Sequence, residues 1–242
     1  MAKTSISHVC QQCGGAHRKW SGRCDHCGAW NTLVEERVEA PSGPGKKATG
    51  RRVDMQPLAT SGDVTPPPRM KTGMAEFDRV AGGGLVAGSA TLIGGDPGIG
   101  KSTLLLQLVC RLSAGGRRTA YVSGEESAEQ VRMRARRLGL ESADVELATS
   151  TNAADIAASI GGKDGPEVVV IDSIQTMYLP TLDSAPGTVS QVRATAQELI
   201  RAAKTHDVAL LVVGHVTKDG AIAGPRVPVS YTHLTLPTTV FV

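Results

Sequence analysis

A chain of 242 residues with 40% hydrophobic but only 3% aromatic content can bury one core plus a small accessory module, and that core must be built from Val, Leu, Ile and Ala. The formal charge of +3 at neutral pH falls by two if four thiolates hold one Zn²⁺, so bulk charge makes no case for a polyanionic partner. No stretch is long and apolar enough to span a bilayer and the N-terminus lacks the apolar run of a signal peptide, so the expected location is the cytoplasm.

The first organised segment holds Cys10-x-x-Cys13 and Cys24-x-x-Cys27, with ten residues between the pairs. Each pair suits a tight knuckle that aims two sulfurs at one tetrahedral ion, and two knuckles complete the shell. Gly14, Gly15, Gly22 and Gly28 fall where such turns need backbone freedom. Two disulfides are disfavoured in a reducing compartment, and a redox Cys-x-x-Cys does not ordinarily come twice. Residues 7–34 therefore read as a C4 zinc finger with Cys10, Cys13, Cys24 and Cys27 as ligands, which leaves His17 and His26 as surface residues. From 35 to 69 Pro, Gly, Ala, Lys and Ser dominate with no helical or strand period, and this stretch reads as a flexible tether. Its Lys46, Lys47, Arg51 and Arg52 solvate the linker; contact with a phosphate backbone is the alternative.

From Met70 onward strands and helices alternate. Ser89–Gly94 is a short buried strand and Ser102–Leu112 an apolar helix, with Cys110 as a small buried hydrophobe. Between them Gly95-Asp96-Pro97-Gly98-Ile99-Gly100-Lys101-Ser102 fits G-x-x-x-x-G-K-[ST], a phosphate-binding loop. Small residues let backbone N–H groups close round a polyphosphate, Lys101 reaches the β- and γ-phosphates, and the Ser102 hydroxyl takes Mg²⁺ at the start of the helix. Strands are predicted over Arg118–Ser123, Val145–Ala148, Glu167–Asp172 and Val208–Gly214. Helices are predicted over Ser127–Leu138, Asn152–Ile160 and Thr188–Thr205. Near-continuous apolar strands alternating with helices predict an α/β fold with a mostly parallel sheet covered on both faces, and ligands gather at the carboxyl ends of its strands.

That rule groups residues far apart in sequence. Asp172 closes the Val168–Ile171 strand and suits the carboxylate that holds Mg²⁺. Glu125 and Glu126 follow the Ala120–Val122 strand, where a carboxylate orients and deprotonates an attacking water; the pair opening the next helix as dipole-complementing acids is the alternative. His215 follows the last strand as a candidate γ-phosphate sensor. Arg132, Arg134, Arg136 and Arg137 spread round their helix and read as solvated surface.

Together the motifs resemble the bacterial RadA (Sms) family of DNA-repair ATPases. The carriers are Cys10-Gln-Gln-Cys-Gly14, Lys19-Trp-Ser-Gly-Arg-Cys24, Cys27-Gly-Ala-Trp-Asn-Thr-Leu33 and the phosphate loop through Thr103. Tyr121-Val-Ser-Gly-Glu-Glu-Ser127, Ile171-Asp-Ser-Ile-Gln-Thr176 and Gly214-His-Val-Thr-Lys-Asp-Gly220 complete them. The resemblance implies a RecA-like P-loop ATPase core over 70–227 behind a C4 zinc-ribbon module, with ATP, Mg²⁺ and Zn²⁺ as cofactors. It implies ATP hydrolysis stimulated by DNA, binding of single-stranded or branched DNA, branch migration of recombination intermediates beside the recombinase machinery, and a homo-hexameric ring. The family continues into a Lys-Asn-Arg-Phe-Gly motif and a Lon-protease-like domain, whereas residues 228–242 resemble the translation of a sequencing-library adapter and read as a non-native tail. On that reading the core is incomplete, its sheet ends in an unpaired apolar edge, and ring assembly fails. The competing functions are a nucleotide switch or autokinase of the clock-protein type, and a fragment that binds ATP without motor activity.

Overall fold

The computed structural model describes residues 4–39, 67–162, 164–215 and 232–235. Strands β1 (Thr4–Cys10), β2 (Ala16–His17) and β3 (Leu33–Glu39) make an antiparallel sheet in the order β2-β1-β3. Cys10 lies opposite Leu33 and Thr4 opposite Glu39. Among the described residues the interior of this module is Cys10, Cys24 and Leu33 with Cys13 against them, and Val9 is buried beside Cys10 in sequence. So little apolar surface cannot repay the ordering of some thirty residues, and a bound metal must supply the difference. The module is larger than the sequence suggested. β3 continues through Glu35–Glu39, so the first five residues read as tether are strand, because their backbone completes the ladder with β1. The rest of that tether as far as Pro66 lies outside the described residues.

The second module opens with β4 (Arg69–Met70), α1 (Ala75–Val80) and β5 (Leu85–Val86), where β4 and β5 pair antiparallel. The main sheet follows: β6 (Ala90–Gly95), α2 (Lys101–Ala114), β7 (Thr119–Ser123), α3 (Ala128–Arg137), β8 (Val145–Ala148), α4 (Ala153–Ile160), β9 (Val168–Asp172), α5 (Val189–Thr205), β10 (Ala209–His215) and β11 (Thr232–Thr235). The strands lie in the order β11-β6-β10-β9-β7-β8 and every pairing is parallel. Predicted and observed elements agree within two residues at nearly every end, because apolar β-branched runs in this setting have few other ways to satisfy their backbone.

Alternate residues of each strand serve opposite faces. Ile93, Tyr121, Val168, Val170, Leu211 and Val213 pack beneath Leu105, Leu108 and Val109 of α2. Leu92, Val122, Val169, Ile171, Leu210 and Val212 pack with Ile156 of α4 and Leu199 of α5. β8 forms one edge and alternates half-buried with exposed residues, as an edge strand does. The other edge differs from expectation. β6 pairs with β10 on one side and, through Thr91↔Thr232 to Gly94↔Thr235, with β11 on the other. Residues 232–235, inside the stretch read as a non-native tail, thus occupy the edge that was expected to be unpaired.

Leu211 is fully buried at the middle of β10. Leu211→Ala should destabilise the core by about 2–5 kcal/mol, read as a lower urea midpoint with unchanged slope. A loss below about 1 kcal/mol would contradict the packing described for that face.

Candidate functional site

The four cysteine sulfurs lie within 4.8 Å of one another. Cys10 Sγ and Cys27 Sγ are 3.7 Å apart, and Cys13 Sγ and Cys24 Sγ are 3.6 Å apart. A tetrahedron with metal–sulfur bonds of about 2.3 Å has edges of about 3.8 Å, so this cluster fits Zn²⁺. Burial pushes the Cys24 thiol up, but the N–H groups of Cys27 and His26 and the His17 ring outweigh it and hold it at about 5. Burial carries Cys13 up to about 12. His17 is not the surface residue expected. Its side chain is nearly enclosed, with Nε2 3.4 Å from Cys24 Sγ and Nδ1 3.4 Å from the Asp25 carboxylate, and the His26 ring meets it edge-on. A half-buried imidazole against a ligand sulfur steadies that ligand from outside the shell. The four cysteines fill the shell without it.

The loop between β6 and α2 has the form its sequence demands. Gly98 and Gly100 have φ of 82° and 99°, and a Cβ on either would meet nothing within 4 Å. The positive φ favours glycine, and the open space in front of it is what the expected phosphate cradle requires. Lys101 is 4% exposed, and its Nζ donates to Gly95 O at 2.8 Å and Asp96 O at 2.7 Å. Burial lowers its pKa, while Asp172, Asp96 and Glu125 oppose that shift. The lysine is thus curled into its own loop, with carbonyl oxygens where phosphate oxygens are expected to bind.

Two further loops converge there. β7 and β9 end in register at Ser123↔Asp172, and Gly124 N–H donates to Asp172 O at 2.8 Å. A side chain at Gly124 would collide with Thr176 and come within 2.9 Å of Met177 Cε, so glycine lets the two loops close. The paired glutamates then diverge. Glu125 is exposed and accepts from Ser173 Oγ at 2.5 Å. Glu126 turns away and accepts from Arg134 Nη2 at 2.5 Å, and its own N–H donates to Ser123 Oγ at 2.9 Å. Ser127 begins α3 with a capping box to Gln130, which fixes where that helix starts. Arg134 corrects the sequence reading: it is not solvated surface but 8% exposed, and it also donates to Tyr121 Oη at 3.3 Å. Tyr121 in turn donates to Asp172 Oδ2, and burial, with the Asp172 charge, drives its phenol well above the ordinary range. A chain Glu126–Arg134–Tyr121–Asp172 therefore crosses the α2/α3 face of the sheet and ends on the carboxylate that closes β9. Ser173, Tyr121 and Arg134 were not singled out as site residues. Ser173 adjoins Asp172 in sequence, whereas Tyr121 reads as a core aromatic and Arg134 as one of four similar arginines.

The site thus brings together Gly95–Thr103, Asp172 and Glu125, with Lys101 as the group common to them. The Ser102 side chain at the first turn of α2 and the Asp172 carboxylate are the oxygens available to Mg²⁺. The backbone of His215 lies beside Gly95 in the ladder; its side chain lies outside the described residues. Among the described residues no helix is long and apolar enough to cross a membrane.

Residues 65–221 match the family model described as an AAA domain, and residues 8–35 match a rubredoxin metal binding domain. The chain is 53% identical over 236 residues to "DNA repair protein RadA" of Brucella abortus (strain 2308), covering 94% of this chain and 50% of that protein. It is 52% identical to the protein of that name from Pseudomonas aeruginosa, over 94% of this chain and 50% of the relative. The Bacillus subtilis (strain 168) protein is 47% identical, over 93% and 50%. The chain spans about half the length of the curated relatives it matches. Among solved structures, an ATPase domain superposes with a TM-score of 0.52 at 16% identity, covering 62% of this chain and 64% of that one. That likeness speaks for the fold.

Two outcomes follow from this geometry. Chelation should remove one zinc per chain and unfold residues 4–39 while the core keeps its melting temperature; a core that melts with the knuckle would contradict two separately stabilised modules. Arg134→Gln should destabilise the core by about 1–3 kcal/mol, because Glu126 and Tyr121 lose a shared donor. In a double-mutant cycle with Glu126→Gln the two losses should be non-additive by at least about 0.5 kcal/mol, and simple additivity would remove the ion pair from the account.

Proposed function

This chain belongs to the AAA domain family, in its RadA branch, and from that membership we propose that it is a Mg²⁺-dependent ATP hydrolase of DNA repair, stimulated by single-stranded DNA. The observation that carries the reading is the meeting of Lys101, Asp172 and Glu125 at the carboxyl edge of a parallel sheet, where Asp172 and Glu125 both act on the charge of Lys101. The zinc knuckle fused to such a site supports the DNA-repair branch over a clock-type nucleotide switch.

The reading assigns roles as follows. Backbone N–H groups from Gly98 to Lys101 wrap the β-phosphate, with Gly98 and Gly100 supplying the open backbone. Lys101 leaves the Gly95 and Asp96 carbonyls and turns Nζ to the β- and γ-phosphate oxygens, exchanging two neutral acceptors for charged ones. Ser102 and Asp172 would hold Mg²⁺, and the bound ion would supply positive charge against the triphosphate. Tyr121 fixes one oxygen of Asp172, so the carboxylate meets the ion in one orientation. Glu125, steadied by Ser173, takes the proton of the attacking water. Glu126 is held by Arg134 and positions the loop rather than touching the water. His215, at the end of β10 beside Gly95, senses the γ-phosphate and passes its loss to the chain beyond. Branch migration and partnership with the recombinase machinery belong to the same proposal, and the hexameric ring belongs to the longer proteins of the family.

Phosphate release measured with and without oligo-dT tests these roles. Wild-type turnover should rise with the oligonucleotide; a rate indifferent to DNA would favour the nucleotide-switch alternative. Lys101→Ala should abolish turnover. Glu125→Gln should lower kcat by about 10²–10⁴-fold with ATP binding retained, and Glu126→Gln by less than about tenfold. The reverse ranking of the two glutamates would overturn the assignment of the base.

A further inference from the structure

The chain has two tryptophans, Trp20 and Trp30, and both lie in the zinc knuckle. Both stand in solvent, at 60% and 69% exposure. Tryptophan usually buries most of its surface, and a module with so few large apolar side chains buried among its described residues would be expected to use its largest ones inside. It does the opposite.

Trp30 is held in a defined setting. It forms a β-bridge with Arg23, and Asn31 N–H donates to Gly22 O at 2.8 Å. A Cβ on Gly22 would come to 3.8 Å from the indole ring, so the ring lies along bare backbone on that side. The Arg23 guanidinium sits 5.9 Å from the ring centroid, and its Nε is fixed by Gly28 O at 3.0 Å. Indole and guanidinium are therefore mounted on the hairpin whose turn carries the two ligands Cys24 and Cys27. Arg18 and Lys19, both exposed, run directly into Trp20. The one acid in this stretch, Asp25, is engaged with His17.

An exposed aromatic with a guanidinium beside it and further cations next in the chain offers π-surface for stacking and positive charge for a backbone. An apolar protein partner would favour aliphatic side chains round the rings, and here the exposed neighbours in sequence are Arg18, Lys19, Arg23, Asp25, His26, Cys27 and Asn31, of which three carry positive charge and one negative. We propose that the exposed Trp30–Arg23 surface of the zinc knuckle is a binding site for single-stranded nucleic acid, with Trp30 stacking on an unpaired base and Arg23 meeting phosphate, and with Trp20, Arg18 and Lys19 of the same module adding a second indole and two further cations. The inference rests on the DNA-linked reading above and assigns part of that binding to the knuckle.

Because both tryptophans of the chain belong to the knuckle, tryptophan emission reports on that module alone. Fluorescein-labelled oligo-dT is titrated into the zinc-loaded chain while tryptophan emission and label anisotropy are followed together. Emission should be quenched with the same midpoint as the anisotropy rise. Three phosphate contacts should weaken binding about 20-fold for a fourfold rise in salt. Trp30→Ala should raise the anisotropy Kd at least about fivefold, while Trp30→Phe, which keeps an aromatic face, should stay within about threefold of wild type; zinc content confirms that each variant retains its knuckle. Anisotropy that rises with emission unmoved, and with Trp30→Ala binding as wild type, overturns the inference and leaves the DNA-linked reading standing. If neither signal moves, that reading fails as well. Loss of self-association in Trp30→Ala, with DNA binding intact, would make the surface a protein contact and also overturn the inference.

Discussion

Lys101, Arg134 and Asp172 bring three ionisable groups into a mainly aliphatic interior, each at less than a tenth of its full exposure. Such groups are tolerated only where every one is bonded. The parallel sheet decides where that can happen, because its carboxyl edge is where strands give way to loops and backbone carbonyls become available. Lys101 takes two of those carbonyls, Asp172 takes the Tyr121 phenol, and Arg134 takes Glu126 and the same phenol. The site is built from the bonds that make its burial possible.

That requirement explains why two adjacent glutamates have different fates. Glu126 leans back over α3 because the buried guanidinium needs a carboxylate, and its departure leaves Glu125 facing the loop after β9. Gly124 permits the turn between them by admitting Thr176 and Met177 where a side chain would stand. A substitution at Arg134, well away from the phosphate loop, would therefore be felt at Asp172 through a single intervening tyrosine.

The architecture was legible in the sequence because it rests on short-range signals. Apolar runs ending in Gly95, Ser123 and Asp172 could only be buried parallel strands, and the glycine-lysine-serine pattern fixed the loop between the first strand and its helix. Two pairs of cysteines at knuckle spacing located the metal centre. What stayed hidden was long-range. Nothing near Arg134 distinguishes it from Arg132, Arg136 or Arg137, since its burial depends on Tyr121, thirteen residues earlier in another layer. His17 likewise reads as a polar residue in a loop until β2 carries it against Cys24. Strand β3 ran on into a stretch of charged residues because an edge strand with solvent on one side has no need of an apolar pattern.

The central claim is that Lys101 rests on its own loop and is released to the nucleotide, with Asp172 and Glu125 already in place. The most direct measurement is a crystal structure of the chain with Mg²⁺ and a non-hydrolysable ATP analogue. The account predicts the triphosphate along Gly95–Ser102, Lys101 Nζ moved from Gly95 O and Asp96 O to phosphate oxygens, and the Tyr121–Asp172 and Ser173–Glu125 bonds unchanged. A nucleotide bound elsewhere, or a Lys101 still bonded to both carbonyls beneath a bound triphosphate, would contradict it.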